Sequence, residues 1–327
     1  MGRAPVPNLL RNASPLPPLC CAAEYRGRAG HSSKAAARIY RKRQVGGFPR
    51  SWDAACHNTA TGRDHHPAPD KSPGKKGDLR MNDPFLMQRE LRYGYPVCDE
   101  LLTGRYFTIG YSYYFRQAKW TLEIVSRGLN EYAPEAFIKA KRFNNFRADV
   151  RLPHRFRASL NAYKGSGHDR GHLVSSANSL LSAIENSETF LLSNMSPQKP
   201  AFNQGIWKDL EDAVRVLNDQ DDVLEVYALN CPFFDFNKQI EVIGDKADKY
   251  GIAIPVPHGF IKSVLAEYRS GSIKLWTFKM DNAKSTGAPG DYLINTYDAE
   301  QYIGGRFWDR ANGKDMHALK KAVPKMW

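Results

Sequence analysis

An α+β fold with a mostly antiparallel central sheet and flanking helices is predicted by three observations. Strand-like runs follow one another along the chain instead of alternating regularly with helices. Two of these runs, 106–115 and 120–125, are aromatic and β-branched and lie only four residues apart, which reads as a hairpin. One amphipathic helix stands out over 203–217, where Ile206, Leu210, Ala213, Val214 and Leu217 recur at three- and four-residue spacing.

Taken in order, the 327-residue chain begins with a stretch, 1–85, that reads as a leader and not as a domain. Pro5, Pro7, Pro15, Pro17 and Pro18 break any early helix. Residues 1–80 hold 15 Lys/Arg against 5 Asp/Glu, so +10 of the +13 net charge sits there. Up to Arg50 the only acid is Glu24, a composition that fits an organellar transit peptide and therefore a mitochondrial destination. Plain disorder fits it too, as does an over-extended reading frame with the true start at Met81. No secretory signal core is present. Cys20, Cys21, Cys56, Cys98 and Cys231 form neither a CxxC pair nor a disulfide framework. No apolar run reaches the roughly 18–20 residues of a membrane span.

One globular domain over 86–327 accounts for the rest. After the hairpin, 129–165 is a basic loop with Arg142, Arg147, Arg151, Arg155 and Arg157, suited to phosphate contacts or to plain solvation. The short apolar run 189–192 suits a strand or a helix end. Asn203 is a good N-cap for the helix that follows. Beyond it, 223–229, 252–257, 260–265 and 273–278 read as further strands. Beyond residue 80 the net charge is only +3, so the high isoelectric point is weak evidence for a nucleic-acid partner.

The chemistry concentrates in Gly165-Ser166-Gly167-His168-Asp169-Arg170-Gly171-His172 and in the segment that runs from Asn194 to Glu211. Phosphodiester hydrolysis needs a base for water and charge relief on the phosphorus oxygens. Histidine suits the first task at neutral pH. A hard cation such as Mg²⁺, with Mn²⁺ or another divalent ion as substitutes, suits the second. Mg²⁺ keeps several waters, so one amide oxygen plus one outer carboxylate can hold it. His172, Asn203 and Glu211 supply these groups. Eight helical residues span roughly 12 Å, so Asn203 is expected as the direct ligand and Glu211 as a carboxylate acting through water. Asp169, crowded by Arg170, is expected to fix the turn through nearby backbone amides. His168 and His172 lie four apart, but Gly167 and Gly171 argue against a helix there and hence against a zinc pair.

The string Asp169-Arg170-Gly171-His172, then Asn194-Met195-Ser196-Pro197-Gln198, then Asn203-Gln204 with Trp207 and Leu210-Glu211, closely resembles the DNA/RNA non-specific endonucleases. These are ββα-metal (His-Me finger) nucleases, and Tyr163-Lys164-Gly165-Ser166-Gly167 looks most like the endonuclease G type. The resemblance implies a Mg²⁺-dependent endonuclease acting on DNA and RNA, with a homodimer left open. It implies His172 as general base, Asn194 as the residue that orients it, Asn203 as metal ligand and Glu211 as outer carboxylate. Arg170 is implied near the scissile phosphate. An upstream arginine is also expected; it falls near Asn144, which makes Arg142 the candidate. Lys199 and Lys208 flank the site as candidate phosphate contacts. Two departures stand out: His168 where an apolar or aromatic residue is usual, and Asn230-Cys231-Pro232 in place of a small Gly-Pro turn. The competing expectation is a non-catalytic nucleic-acid-binding relative, and the intact His172, Asn203 and Glu211 set argues against it.

Overall fold

The expected hairpin supplies the second and third strands of a seven-stranded sheet. The computed structural model describes residues 88–327 apart from 128, 130–137, 245–252 and 312. The leader over 1–85, with three of the cysteines and Met81, lies outside the described residues, as do part of the basic loop and Ile252.

In chain order the strands are β1 (Glu100–Thr103), β2 (Phe107–Ser112), β3 (Gln117–Ile124), β4 (Asp169–His172), β5 (Met195–Gln198) and β6 (Val223–Phe233). They continue with β7 (Val242–Ile243), β8 (Ile254–Pro255), β9 (Gly259–Tyr268), β10 (Ile273–Asp281) and β11 (Leu293–Ile294). The helices are α1 (Leu160–Tyr163), α2 (Ala183–Glu188), α3 (Pro200–Phe202), α4 (Lys208–Asn218), α5 (Thr296–Ile303) and α6 (Lys314–Lys321). The main sheet runs β1-β2-β3-β6-β9-β10-β11, and every pairing in it is antiparallel. β4 with β5, and β7 with β8, form separate two-stranded ribbons.

The central strand β6 explains its own unbroken apolar sequence. Val226 and Ala228 join one hydrophobic core, Tyr227 and Leu229 the other, so both faces of the strand are covered. The first core receives Phe202, Ile206, Trp207, Leu210, Val214 and Leu217 from the α3–α4 run. The second is closed by Leu91, Trp120, Phe307 and Trp308.

One reading is corrected. The helix does not begin at Asn203: α3 starts at Pro200, whose fixed φ suits the first helical position. Asn203 has helical φ −60° and ψ −44° and opens a π turn, Asn203–Trp207, that kinks at Gly205 before α4. An N-cap role is therefore excluded, and counting 1.5 Å per residue from Asn203 to Glu211 does not apply across the kink. Of the two readings of the run 189–192, the helix end is the one found, with Thr189 capping α2. The run leads from α2 into a 3₁₀ turn, Leu192–Asn194, with one isolated bridge between Arg147 and Leu191.

Candidate active site

The turn that delivers β4 depends on Gly165 and Gly167, both at positive φ (71° and 76°), a conformation that costs other residues a steric penalty. β4 then pairs with β5 in the register Gly171↔Ser196 and His172↔Met195. Gly171 is required by close approach: a Cβ there would lie 2.1 Å from Cδ of Gln198. Strand alternation puts Arg170 and His172 on one face. Both open onto a cavity of about 820 Å³, walled on the other side by the α3–α4 run.

Six of the eight residues singled out from sequence line this cavity: Arg142, Arg170, His172, Asn203, Lys208 and Glu211. Lys208 is ion-paired to Asp212 at 2.6 Å, four residues along α4. Lys199 does not reach the cavity; it lines a neighbouring hollow with His258 and Lys279, because the chain turns into α3 immediately after it. Asn194 is fully buried behind β4. Its Oδ1 accepts from Val174 N at 2.9 Å, and its Nδ2 donates to Val174 O and Thr189 O at 3.0 and 2.9 Å. These bonds tie down the backbone just after β4, and none of them goes to the His172 ring.

The imidazole of His172 is pinned by aromatic edges. Phe190 meets it edge-on with 4.8 Å between centroids, and Phe146 lies 5.7 Å away. Each phenylalanine carries a guanidinium on its ring: Arg142 over Phe190 at 5.0 Å and Arg170 over Phe146 at 4.2 Å. Arg142 is further fixed by Asn144 Oδ1 and Ser176 Oγ at 2.8 and 2.9 Å. Nε2 of His172 is shut off from water and has no protein partner. Burial, with the two arginines adding to it, pushes this histidine down to about 3 from its ordinary 6.5. At neutral pH the ring is uncharged, with a lone pair to offer.

Sequence reading missed what Asp169 does. Its Oδ2 accepts from Asn203 Nδ2 and Gln204 Nε2, each at 2.9 Å. A carboxylate only accepts, so the NH₂ of Asn203 is committed to it and the amide oxygen is left for another partner. Glu211, half-buried on the cavity wall with its carboxyl pushed up chiefly by desolvation, accepts from Ser175 Oγ through Oε2 at 2.8 Å. Among the described residues no group of three His, Cys, Asp or Glu side chains converges on one point. One oriented amide oxygen and one carboxylate fit a hard, mostly hydrated ion such as Mg²⁺ and do not fit an all-protein zinc cage.

Behind Glu211 lies a buried polar network that was also missed. Arg215 donates to Ser175 Oγ and Asn178 Oδ1 at 3.4 and 3.0 Å, and Asn178 donates to Glu123 Oε2 at 2.9 Å. Arg215 sits one turn after Glu211 on α4, a spacing that was legible. Glu123 sits on β3 within an apolar alternation that hid it.

The cavity wall carries five Lys/Arg against two Asp/Glu, so the cations absent from the overall balance are gathered at this one place.

The DNA/RNA non-specific endonuclease family matches residues 89–313. Endonuclease G, mitochondrial, from Caenorhabditis elegans is 30% identical over 198 residues, covering 59% of this chain and 62% of that protein. Its namesake from Homo sapiens is 32% identical over 198 residues, covering 59% and 63%. A nuclease from Syncephalastrum racemosum is 34% identical over 229 residues, covering 66% and 69%. The chain thus spans under two thirds of the length of the two endonuclease G relatives. A crystal structure of an EndoG/EndoGI complex superposes with a TM-score of 0.61 at 25% identity, over 69% of this chain and 92% of that one. Fold, site and sequence agree, and the chain belongs to the DNA/RNA non-specific endonuclease family.

Proposed function

We propose that this protein is a sequence-non-specific endonuclease that hydrolyses phosphodiester bonds of DNA and RNA with His172 as general base. The observation that carries the reading is His172, with Nε2 free of any protein partner, set between Arg142 and Arg170 on the wall of a cationic cavity. The two arginines attract the phosphodiester and counter the charge that grows on phosphorus in the transition state. The phosphate's negative charge offsets their field on His172, raising its basicity when substrate is bound. Nε2 then takes the proton of the attacking water. Asn203, held by Asp169, and Glu211, acting through water, would hold Mg²⁺; a bound Mg²⁺ supplies charge neutralisation at the phosphate.

The N-terminal leader and the mitochondrial relatives support a mitochondrial destination. Import of the full chain, but not of a chain begun at Met81, into isolated mitochondria tests that point. No helix among the described residues is long and apolar enough to cross a membrane.

Plasmid nicking tests the chemistry. Wild-type protein is expected to nick in Mg²⁺ and to stop on chelation, and His172→Ala to lose about 10²- to 10⁴-fold in rate, the usual contribution of a general base. Cleavage that survives His172→Ala would overturn the assignment of the base.

A further inference from the structure

The basic stretch 129–165 suits either phosphate contacts or plain solvation, and the side-chain partners of its arginines decide most of it. Arg147 donates to the carbonyls of Asn145 and Ser187, and Arg157 to those of Val150 and Leu152. Arg151 is ion-paired to Asp149 and bonded to Thr103 O, and Arg155 lies 5.9 Å over the ring of Phe156. None of these four lines the cavity. Two cations of the stretch do line it: Arg142, already placed beside His172, and Lys164, which follows the last residue of α1.

Lys164 differs from the other cations on that wall. Lys208 and Arg215 are both ion-paired to Asp212. Arg142 is bonded to Asn144 and Ser176, and Arg170 lies on the ring of Phe146. Lys164 is exposed and, among the described residues, its ammonium has no ion pair, hydrogen bond or ring contact. Its backbone is nevertheless fixed. Lys164 N donates to Asn161 O at 3.2 Å, and Ser166 ties the next turn back through N and Oγ, which donate to Tyr163 O at 3.3 and 3.0 Å. An unpaired ammonium on a fixed stem suits an anion that comes from outside the protein. Arg142 and Arg170 are the cations that act on His172, and Lys164 is not among them. The cavity, at about 820 Å³, is larger than one phosphate group fills. Of the two lysines expected at phosphates, Lys199 does not reach this cavity and Lys208 is taken by Asp212.

We propose that Lys164 binds a backbone phosphate flanking the scissile one, a contact that adds affinity without reading sequence. It is a substrate-binding residue and takes no part in the proton transfer. This inference rests on the proposed endonuclease function and adds a substrate contact to it.

Binding of a labelled DNA duplex to protein carrying His172→Ala, followed over a KCl titration, reports phosphate contacts without cleavage. Each contact contributes about 0.9 to the slope of log affinity against log salt on duplex DNA. Adding Lys164→Gln is expected to flatten the slope by about 0.9 and to weaken binding roughly eightfold at about 0.1 M salt. The weakening should be the same for duplexes of unlike sequence. Lys164→Arg keeps the charge and is expected to keep the slope. Lys208→Gln removes a lysine already held by Asp212 and is expected to change the slope much less. With His172 intact, the loss in Lys164→Gln is expected more in KM than in kcat. Thermal unfolding controls for the fold, and an exposed substitution of this kind should leave Tm nearly unmoved. An equal flattening in Lys208→Gln would overturn the proposal, because the field of the whole cavity would then be responsible and no single contact. If the His172→Ala protein binds no duplex even at low salt, the endonuclease reading fails and the proposal falls with it. If it binds with a slope indifferent to Lys164→Gln, only the role of Lys164 is refuted.

Discussion

Asp169→Ala is the sharpest probe of the metal site proposed at Asn203 and Glu211. Asp169 takes two amide donors on a single oxygen, from Asn203 and Gln204, each at 2.9 Å. Bonds to a charged acceptor contribute about 1.5–3 kcal/mol when shielded, and the Gln204 bond is exposed, so only the bond to Asn203 is counted and at the low end. Removing it frees the Asn203 carboxamide to turn its NH₂ toward the cation. A lost orientational bias of about 1.5 kcal/mol corresponds to roughly a tenfold drop in the competent orientation, at 1.4 kcal/mol per factor of ten. The Mg²⁺ concentration giving half-maximal nicking should therefore rise about tenfold. Saturating Mg²⁺ selects the correct orientation again, so the maximal rate should return to within a few-fold of wild type. Asp169→Asn keeps one acceptor oxygen and should shift the midpoint less. Initial nicking rates over a Mg²⁺ titration read both quantities. A maximal rate depressed at every Mg²⁺ concentration with an unmoved midpoint would refute the reasoning and place Asp169 in a different role.

Three further outcomes follow from the same geometry. Asn194→Ala strips partners from Val174 N, Val174 O and Thr189 O in the interior and should cost roughly 3 kcal/mol, lowering Tm by about 6–12 °C for a domain of this size; calorimetry checks it, and the variant should lose nicking because the backbone after β4 loosens. Gly171→Ala drives a Cβ into Gln198 and should destabilise by about 1–3 kcal/mol, with part of the loss recovered in Gly171→Ala/Gln198→Ala as read by urea unfolding. His172, lowered from 6.5 to about 3 in the folded state, binds a proton in the unfolded chain before it does in the folded one. Its contribution to stability is thus intact above pH 6.5 and lost as pH falls from 6.5 toward 3, by at most about 2 kcal/mol between pH 7 and pH 5. The urea midpoint of His172→Asn should vary less over that interval than that of the wild type.

What the chain discloses and what it hides divide along a physical line. Local periodicity was enough for the hairpin, for β6 and for the apolar face of the α3–α4 run, because each is written in residues two to four apart. It misplaced the start of that run, since a favourable cap at Asn203 and a favourable first-turn proline at Pro200 compete, and only packing of Phe202 in the core decides between them. Total charge misled in a similar way: a body of net +3 still gathers five basic side chains on one cavity wall. Asp169 was visible, but its partners lie 34 and 35 residues away, and no short pattern links a strand residue to a helix across such a gap.

Lys262 is the instructive case. A single lysine amid Phe260, Ile261, Val264 and Leu265 is an anomaly that strand alternation by itself cannot excuse, because the residues on both sides of it are buried. The anomaly was therefore legible. Its resolution was not, since the groups that seat it, Asn230 on β6 and the ring of Trp207 just before α4, lie 32 and 55 residues away in the chain.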